Sequence, residues 1–372
     1  MPKSKQLLTR GEQKILYFLL LFQPADKSLL RLVGNNYDFT GRQISSLFHK
    51  GYIEEISIKP KYCSSEKVVC LTQSGFKLIS TLSQISNLLI RNNKNRIKGD
   101  ENKYRQFKLT SVIEMFTPII PNYSEQFINL EQKIETDKEI IENEILNRQI
   151  PYLITNREIR DMDEHNLRKI TATRSQGFAI SNNDAFVLYN HNHKRMKGHG
   201  DFEEKFHLYT ELLFPQKQIS AIHFGRSYKP ALDTLFKTNI SQRENYIMSK
   251  SIFYNHYFVP LTSNGAQQLK IYFIPNFKNK IKSKILLPDE ISKANNLSYD
   301  GETEDGNIIF LGFECNIPEI ENVIYSLQTV KKNSSVIIYC FNHQEYFYKQ
   351  IFGNNAIIYP LRVADVMNSI QI

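Results

Sequence analysis

Two acidic residues near the C-terminal end of the sequence have the chemistry of divalent-metal ligands. Asp305 precedes the apolar run NIIFLGFEC, and Glu314 lies near the end of that run. A metal held between two such carboxylates would lower the pKa of a bound water and stabilise the transition state of phosphodiester hydrolysis. Asp305, however, lies in the sequence EDGN, where an aspartate commonly forms a turn. We therefore expect no catalytic residues and keep Asp305 and Glu314 as the candidates of an alternative, nuclease interpretation.

A second set of ligand-type side chains is the pair His191 and His193. On a strand, residues two apart point to the same face, which suits a shared metal ion. Lys194 and Arg195 follow directly, and their positive charge opposes a bound cation. A polar loop that contacts DNA or a partner is therefore the favoured interpretation. The sequence therefore predicts neither a metal nor a cofactor, with His191 and His193 as the residues to check.

A short amphipathic helix carries the side chains best suited to contact nucleic acid. In the stretch FTGRQISSLFHKGYIEEI, apolar residues recur every three or four positions, and Thr40 and Gly51 are placed to begin and end the helix. The opposite face carries hydrogen-bond donors that can reach base edges and phosphates. They are Arg42, Gln43, Ser46, His49 and Lys50. The alternative is an ordinary solvated polar face.

The elements around this helix favour the first interpretation. Two helices are predicted before it. Thr9 caps the first, with Glu12 completing a capping box, and the second covers residues 27–34. Strands over 52–60 and 66–72 and a closing helix over 71–82 come after it. The hairpin between the strands carries three basic residues that could contact phosphates: Lys59, Lys61 and Lys67. This order predicts an α+β winged helix-turn-helix whose third helix enters the major groove.

The charge distribution agrees with a polyanion-binding N-terminal region. The 372 residues carry a net charge of +9. Residues 1–110 hold 19 Lys and Arg against 8 Asp and Glu, a net charge of +11, so the rest of the chain carries −2. All of the excess positive charge therefore lies in the first 110 residues, as expected for a DNA-binding domain joined to a near-neutral partner domain.

The remaining chain predicts an α/β domain with a mixed, partly parallel sheet. The runs GFAIS, AFVLYN, SAIHFG and KIYFIP are strand candidates, and the C-terminal 66 residues alternate strand, helix, strand, helix, strand. We assign residues 1–85 to the winged helix, 86–120 to a basic linker or helix, and 121–372 to the α/β domain.

The sequence also indicates the cellular compartment and the partners of the protein. The N-terminus lacks a signal-peptide pattern, and the run ILYFLLLF is far shorter than the roughly 20 residues that span a bilayer. The four cysteines show no paired CxxC spacing, which favours reduced thiols. We therefore expect a cytoplasmic protein with double-stranded DNA as partner, no membrane partner, and a homodimer as an open alternative.

The segments RQISSLFHKGYIEEI and VVCLTQSGFKLI resemble the opening of replication-relaxation proteins, which plasmids and conjugative elements encode. NIIFLGFECNIPEIENVIYSL and SSVIIYCF look like the end of their second domain, which resembles a degenerate restriction-endonuclease-like fold. In an active nuclease of that type a Lys follows the metal-binding Glu by two residues, whereas this sequence has Asn316 after Glu314. The resemblance implies a role in replication, mobilisation or conjugation, with a relaxase or replication proteins as partners and without DNA cleavage.

Two rival functions remain at this point. The first is a transcriptional regulator whose C-terminal domain senses a ligand or dimerises. The second is a metal-dependent nuclease that uses Asp305 and Glu314. The DNA fragment that the protein protects would separate a promoter-binding regulator from an origin-binding protein, and metal-dependent nicking would identify the nuclease.

Overall fold

The computed structural model describes residues 8–34, 36–61, 64–82, 99–120, 152–155, 174–181, 184–194, 196, 206–208, 210–211, 214, 216–236, 253, 255–293, 299–332 and 334–370. The chain forms two compact units. The N-terminal unit comprises residues 1–147 with 261–263, and the C-terminal unit comprises the rest.

The N-terminal unit has the predicted order of helices and strands. Its elements are α1 (Arg10–Phe22), a 3-10 helix (Leu29–Val33), α2 (Tyr37–His49), β1 (Ile53–Ile58), β2 (Glu66–Leu71), α3 (Gln73–Leu82) and α4 (Asp100–Phe116). The capping box is confirmed: Thr9 Oγ1 accepts from the Glu12 N–H, and the Glu12 carboxylate accepts from the Thr9 N–H. The second predicted helix is a short 3-10 helix.

The hairpin of β1 and β2 is antiparallel and is joined by a third segment. Its register runs from Ile53 opposite Leu71 to Ile58 opposite Glu66. Ala25, between α1 and the 3-10 helix, pairs antiparallel with Val69, its N–H donating to the Val69 carbonyl at 3.0 Å. The loop after α1 is therefore fixed to the second strand of the hairpin.

Helix α4 packs on the hairpin and belongs to the same unit. Tyr104 and Phe107 of α4 form a buried cluster with Ile58 and Val68. Part of the predicted linker over 86–120 is therefore a packed helix, because aromatic residues one turn apart give it an apolar face. The other residues of that prediction before Gly99 lie outside the described part of the chain.

The C-terminal unit contains two sheets, and this confirms a mixed sheet with parallel strands. The first sheet has the order β3-β4-β5-β6-β7, in which β3, β4 and β5 are antiparallel and β5, β6 and β7 are parallel. Its strands are β3 (Tyr152–Thr155), β4 (Ser175–Ile180), β5 (Asp184–Asn192), β6 (Gln218–Gly225) and β7 (His256–Pro260).

The second sheet has the order β11-β10-β9-β8, and its β9, β10 and β11 are parallel. Its strands are β8 (Gly301–Glu302), β9 (Ile308–Leu311), β10 (Val336–Phe341) and β11 (Ala356–Leu361). The larger helices of this unit are α5 (Lys229–Leu235), α6 (Ser263–Leu269), α7 (Phe277–Ile285), α8 (Pro288–Lys293), α9 (Ile317–Thr329), α10 (Glu345–Phe352) and α11 (Val363–Ile370). The predicted alternation of strands and helices in the C-terminal 66 residues is confirmed.

One predicted strand is wrong. The run KIYFIP forms a 3-10 helix, Lys270–Phe273, directly after α6. Ile271 and Tyr272 are adjacent and both buried, and such neighbours suit a helical turn inside the core better than a strand that alternates between two faces. Among the described helices, none is long and apolar enough to cross a bilayer.

Candidate functional site

Helix α2 begins one turn earlier than its sequence indicates. Asn36 is the N-cap, and its side chain accepts from the Phe39 N–H at 3.0 Å. Thr40, the predicted cap, is buried inside the helix and donates to the Asn36 carbonyl at 2.6 Å. Gly51 follows the helix with a φ of 70°, a conformation that favours glycine, as predicted.

The outward side of α2 lines an open depression of about 750 Å³. Its lining residues are Arg31, Asp38, Gly41, Arg42, Ser45, Ser46, His49 and Lys50. Arg42 and His49 are exposed there, as the sequence predicts. Sequence reasoning missed Arg31, which the 3-10 helix contributes. Its guanidinium lies 5.2 Å from the ring centre of Tyr37, and Gly41 leaves room for it, because an added Cβ would lie 3.3 Å from the Arg31 Nε.

Three of the five predicted contact residues on α2 are used inside the unit. Gln43 is a correction: only 8% of it is exposed, and its amide lies against Gly11 of α1. Ser46 Oγ donates to Glu12 Oε1 at 2.7 Å, and Lys50 Nζ donates to the same oxygen at 2.6 Å. The polar groups of Ser46 and Lys50 therefore hold α2 against α1, and Gln43 packs between the two helices.

Glu12 is the centre of this contact and is only 2% exposed. Burial alone would raise the pKa of its carboxyl, but hydrogen bonds from Lys50, the Thr9 N–H and Ser46 outweigh burial and lower that pKa. One carboxylate therefore serves both as the capping residue of α1 and as the anchor of α2.

The basic residues of the hairpin lie on its exposed surface. Lys59, Lys61 and Lys67 are all exposed. The backbone N–H of Lys59 donates to the Asp100 carboxylate at 2.9 Å, and that of Lys61 donates to Glu101, so the first turn of α4 holds the start of the hairpin turn. The side chain of Lys67 is 80% exposed and lies 3.7 Å from Glu55, a weak surface ion pair.

The structure does not bring Asp305 and Glu314 together. Asp305 is exposed in the turn between β8 and β9, and Glu314 ends the 3-10 helix Gly312–Glu314 that follows β9. The four residues of β9 alone separate them by on the order of 13 Å. Asn316 accepts from the His256 N–H at 3.2 Å and pairs across a β-bridge with Tyr257, so it links the start of α9 to β7. Asp305 and Glu314, the candidate ligands of the alternative nuclease interpretation, therefore do not lie at one site.

Glu314 lies instead in a charge cluster around a lysine. Lys278 Nζ lies 2.7 Å from Glu319 and 3.2 Å from Asp300. Burial and the nearby Glu319 raise the pKa of Glu314 to about 8, and Lys278 opposes them. The Lys278 ammonium group thus pairs with two of the carboxylates that lie near Glu314.

His191 and His193 do not share a face. β5 ends at Asn192, whose φ of 54° turns the chain, so His193 is exposed while His191 is buried. His191 belongs to a hydrogen-bonded chain across three strands: its Nε2 lies 2.9 Å from Nδ1 of His223, whose Nε2 lies 2.9 Å from Nδ1 of His256. His191 and His193, the residues kept as metal-ligand candidates, therefore do not lie together.

The three histidines of this chain are buried, and two of them have pKa values below the ordinary value for histidine. Burial lowers the pKa of His223 well below its ordinary value, and the neighbouring His191 and His256 lower it further. Burial, then the nearby His207, lowers the pKa of His256 to about 3. Both ring nitrogens of His223 are engaged by its neighbours, so its lone pair is not available to a metal. The three histidines come from separate strands and therefore have no local sequence signal.

Two candidate sites therefore stand out: the outward face of α2 and the histidine chain. Only the first is open to a large partner, because the three histidines are buried. A scan against protein-family models, a search of curated proteins and a search of solved structures each found no match.

Proposed function

We propose that the protein binds double-stranded DNA through its N-terminal unit as a winged helix-turn-helix. In this proposal α2 enters the major groove, and the β1–β2 hairpin follows the phosphates. The order of elements supports it, and so does the pairing of Ala25 with Val69, which fixes the segment between the first two helices to the hairpin.

The observation that carries the proposal is the open depression on α2. Arg42 and His49 point outward there, with Arg31 beside them. The first 110 residues of the sequence, to which α2 belongs, carry all of the net positive charge of the chain. Guanidinium and imidazole groups donate to base edges, while a net positive surface attracts the phosphate backbone.

In this proposal the C-terminal unit helps to assemble a protein complex on the DNA and does not cleave the DNA. The resemblance to replication-relaxation proteins extends the proposal to replication or mobilisation of a mobile genetic element, with a relaxase or replication protein as partner. The occupation of the acidic cluster by Lys278 supports a non-catalytic role for Glu314.

The proposal is tested by binding of the intact protein to labelled duplexes from the DNA that flanks its own gene. Lys61→Ala should weaken binding to all sequences and reduce the slope of log K against log salt by about 0.9, the value for one lost phosphate contact. Arg42→Ala should reduce discrimination between sequences by about 1–3 kcal/mol.

Lys284→Ala is the matched control, because it removes an exposed positive charge from α7 in the C-terminal unit. It should bind DNA like the wild type. If Lys284→Ala weakens binding as much as Lys61→Ala and Arg42→Ala do, the N-terminal unit is not the DNA-binding unit. The position of the protected fragment, at an origin or at a promoter, separates replication from transcriptional regulation.

A further inference from the structure

Helix α2 presents an acidic and a basic side chain one turn apart on its outward face. Asp38 and Arg42 are exposed and line the same depression. Residues four apart on a helix are neighbours and commonly form an ion pair when the acid comes first. Across the part of the chain that the structure describes, Asp38 and Arg42 form no ion pair with each other or with a third residue. Both side chains are therefore available to an external partner.

Asp38 is the member of this pair that distinguishes a contact with bases from a contact with phosphates. A carboxylate repels phosphate, so Asp38 weakens any contact of α2 with the DNA backbone. In the major groove, however, an aspartate accepts a hydrogen bond from the N4 amino group of cytosine, and an arginine donates two to O6 and N7 of guanine. Asp38 also lies in the first turn of α2, where an acid interacts favourably with the helix dipole, and that purely structural role is the competing explanation.

The spacing of the two residues matches neighbouring bases. Four residues of an α-helix span about 6 Å, and successive base pairs are about 3.4 Å apart. We propose that α2 selects duplex sites containing a guanine contacted by Arg42 and a cytosine contacted by Asp38, one or two base pairs apart. This inference rests on the proposed DNA-binding function.

The experiment is selection from a library of randomised duplexes by the intact protein, followed by affinity measurements on the selected duplex and its single-base substitutions. The wild type should enrich one guanine and one cytosine at the stated spacing. Arg42→Gln should lose the guanine preference and gain adenine, and Asp38→Asn should lose the cytosine preference and gain adenine, because amides pair with adenine. Each change should reduce the affected base discrimination by about fivefold or more.

Asp365→Asn is the matched control, since it removes an exposed acid from the first turn of α11 in the C-terminal unit. It should leave the selected sequence unchanged. Binding with unchanged base preference in Asp38→Asn and Arg42→Gln would overturn this inference and leave the DNA-binding proposal standing. A wild-type protein that selects no duplex at all would overturn the DNA-binding proposal itself.

Discussion

Replacing the buried carboxylate of Glu12 should loosen the whole N-terminal unit. The side chain of Glu12 is 2% exposed and that of Lys50 is 17% exposed, so water screens their contact little. Glu12→Gln keeps the shape of the side chain but removes the negative charge of the carboxylate, whose oxygens accept hydrogen bonds from Lys50, Ser46 and the Thr9 N–H. Charge-assisted hydrogen bonds contribute about 1.5–3 kcal/mol each, and breaking a buried ion pair costs about 3–5 kcal/mol. We expect the free energy of unfolding to fall by about 3 kcal/mol.

Hydrogen exchange followed by mass spectrometry measures this loss locally, which matters in a chain of two units. A loss of about 3 kcal/mol should speed exchange of the most protected amides in α1 and α2 by about 150-fold. Glu345→Gln is the matched control, because it breaks the 2.7 Å ion pair with Lys349 on the exposed side of α10. That change should cost less than about 1 kcal/mol.

The difference between wild type and Glu12→Gln should depend on pH. Because the folded pKa of Glu12 is lowered, its stabilisation is complete above the unfolded value of 4.5 and is lost as the pH falls through the folded pKa. Lys50→Met should add little destabilisation once Glu12→Gln is present, since the two residues act as a pair. Equal exchange rates in Glu12→Gln and Glu345→Gln at pH 7 would refute the role given to Glu12.

Three further predictions concern the histidine chain, Glu314 and Gly75. Burial lowers the folded pKa of His223 and His256, so the unfolded chain binds protons at a higher pH than the folded chain does. Exchange protection of β5–β7 should therefore decrease below about pH 6.5, by about 1.4 kcal/mol per pH unit for each histidine. Protection that is constant from pH 7 to pH 5 would contradict this prediction. Because the pKa of Glu314 is raised in the folded state, this residue destabilises the fold above pH 4.5. Glu314→Gln should therefore raise the free energy of unfolding at pH 7 by more than about 1 kcal/mol and should give no gain at pH 4. An equal gain at pH 7 and pH 4 would be inconsistent with the raised pKa. Gly75→Ala should lower the melting temperature of the N-terminal unit, because the Cβ of the new alanine would lie 2.0 Å from the Tyr52 carbonyl oxygen. An unchanged melting temperature would show that the backbone moves to relieve this contact without cost.

Local signals in the sequence predicted much of the N-terminal unit. The capping box of Thr9 and Glu12 is a short-range pattern, and the hairpin follows from two β-rich segments joined by a polar turn. The second role of Glu12 was not predictable, since Ser46 and Lys50 lie 34 and 38 residues further along the chain. Gln43 shows the same limit: its burial depends on how α1 lies against α2 and not on the period of the helix.

The C-terminal unit shows where local patterns fail. The parallel β9, β10 and β11 follow from the alternation of strands and helices. His191 was singled out because of its neighbour His193, whereas its actual partner is His223, which lies 32 residues away on the adjacent strand. Strand register creates that contact, and register is a tertiary property. Asp305 and Glu314 are close in sequence but lie on either side of β9, because an extended strand separates the residues at its two ends.

The most direct test of the proposed function is the affinity of the intact protein for its selected duplex across a salt series. Four cations of the N-terminal unit, the half-buried Arg31 and the exposed Lys59, Lys61 and Lys67, predict a slope of log K against log salt of about −3 to −4. A slope in that range, reduced by about one in Lys61→Ala, would support binding of phosphates by the hairpin beside α2. No binding at about 50 mM salt, or an affinity that does not change up to about 200 mM, would contradict DNA binding by this unit.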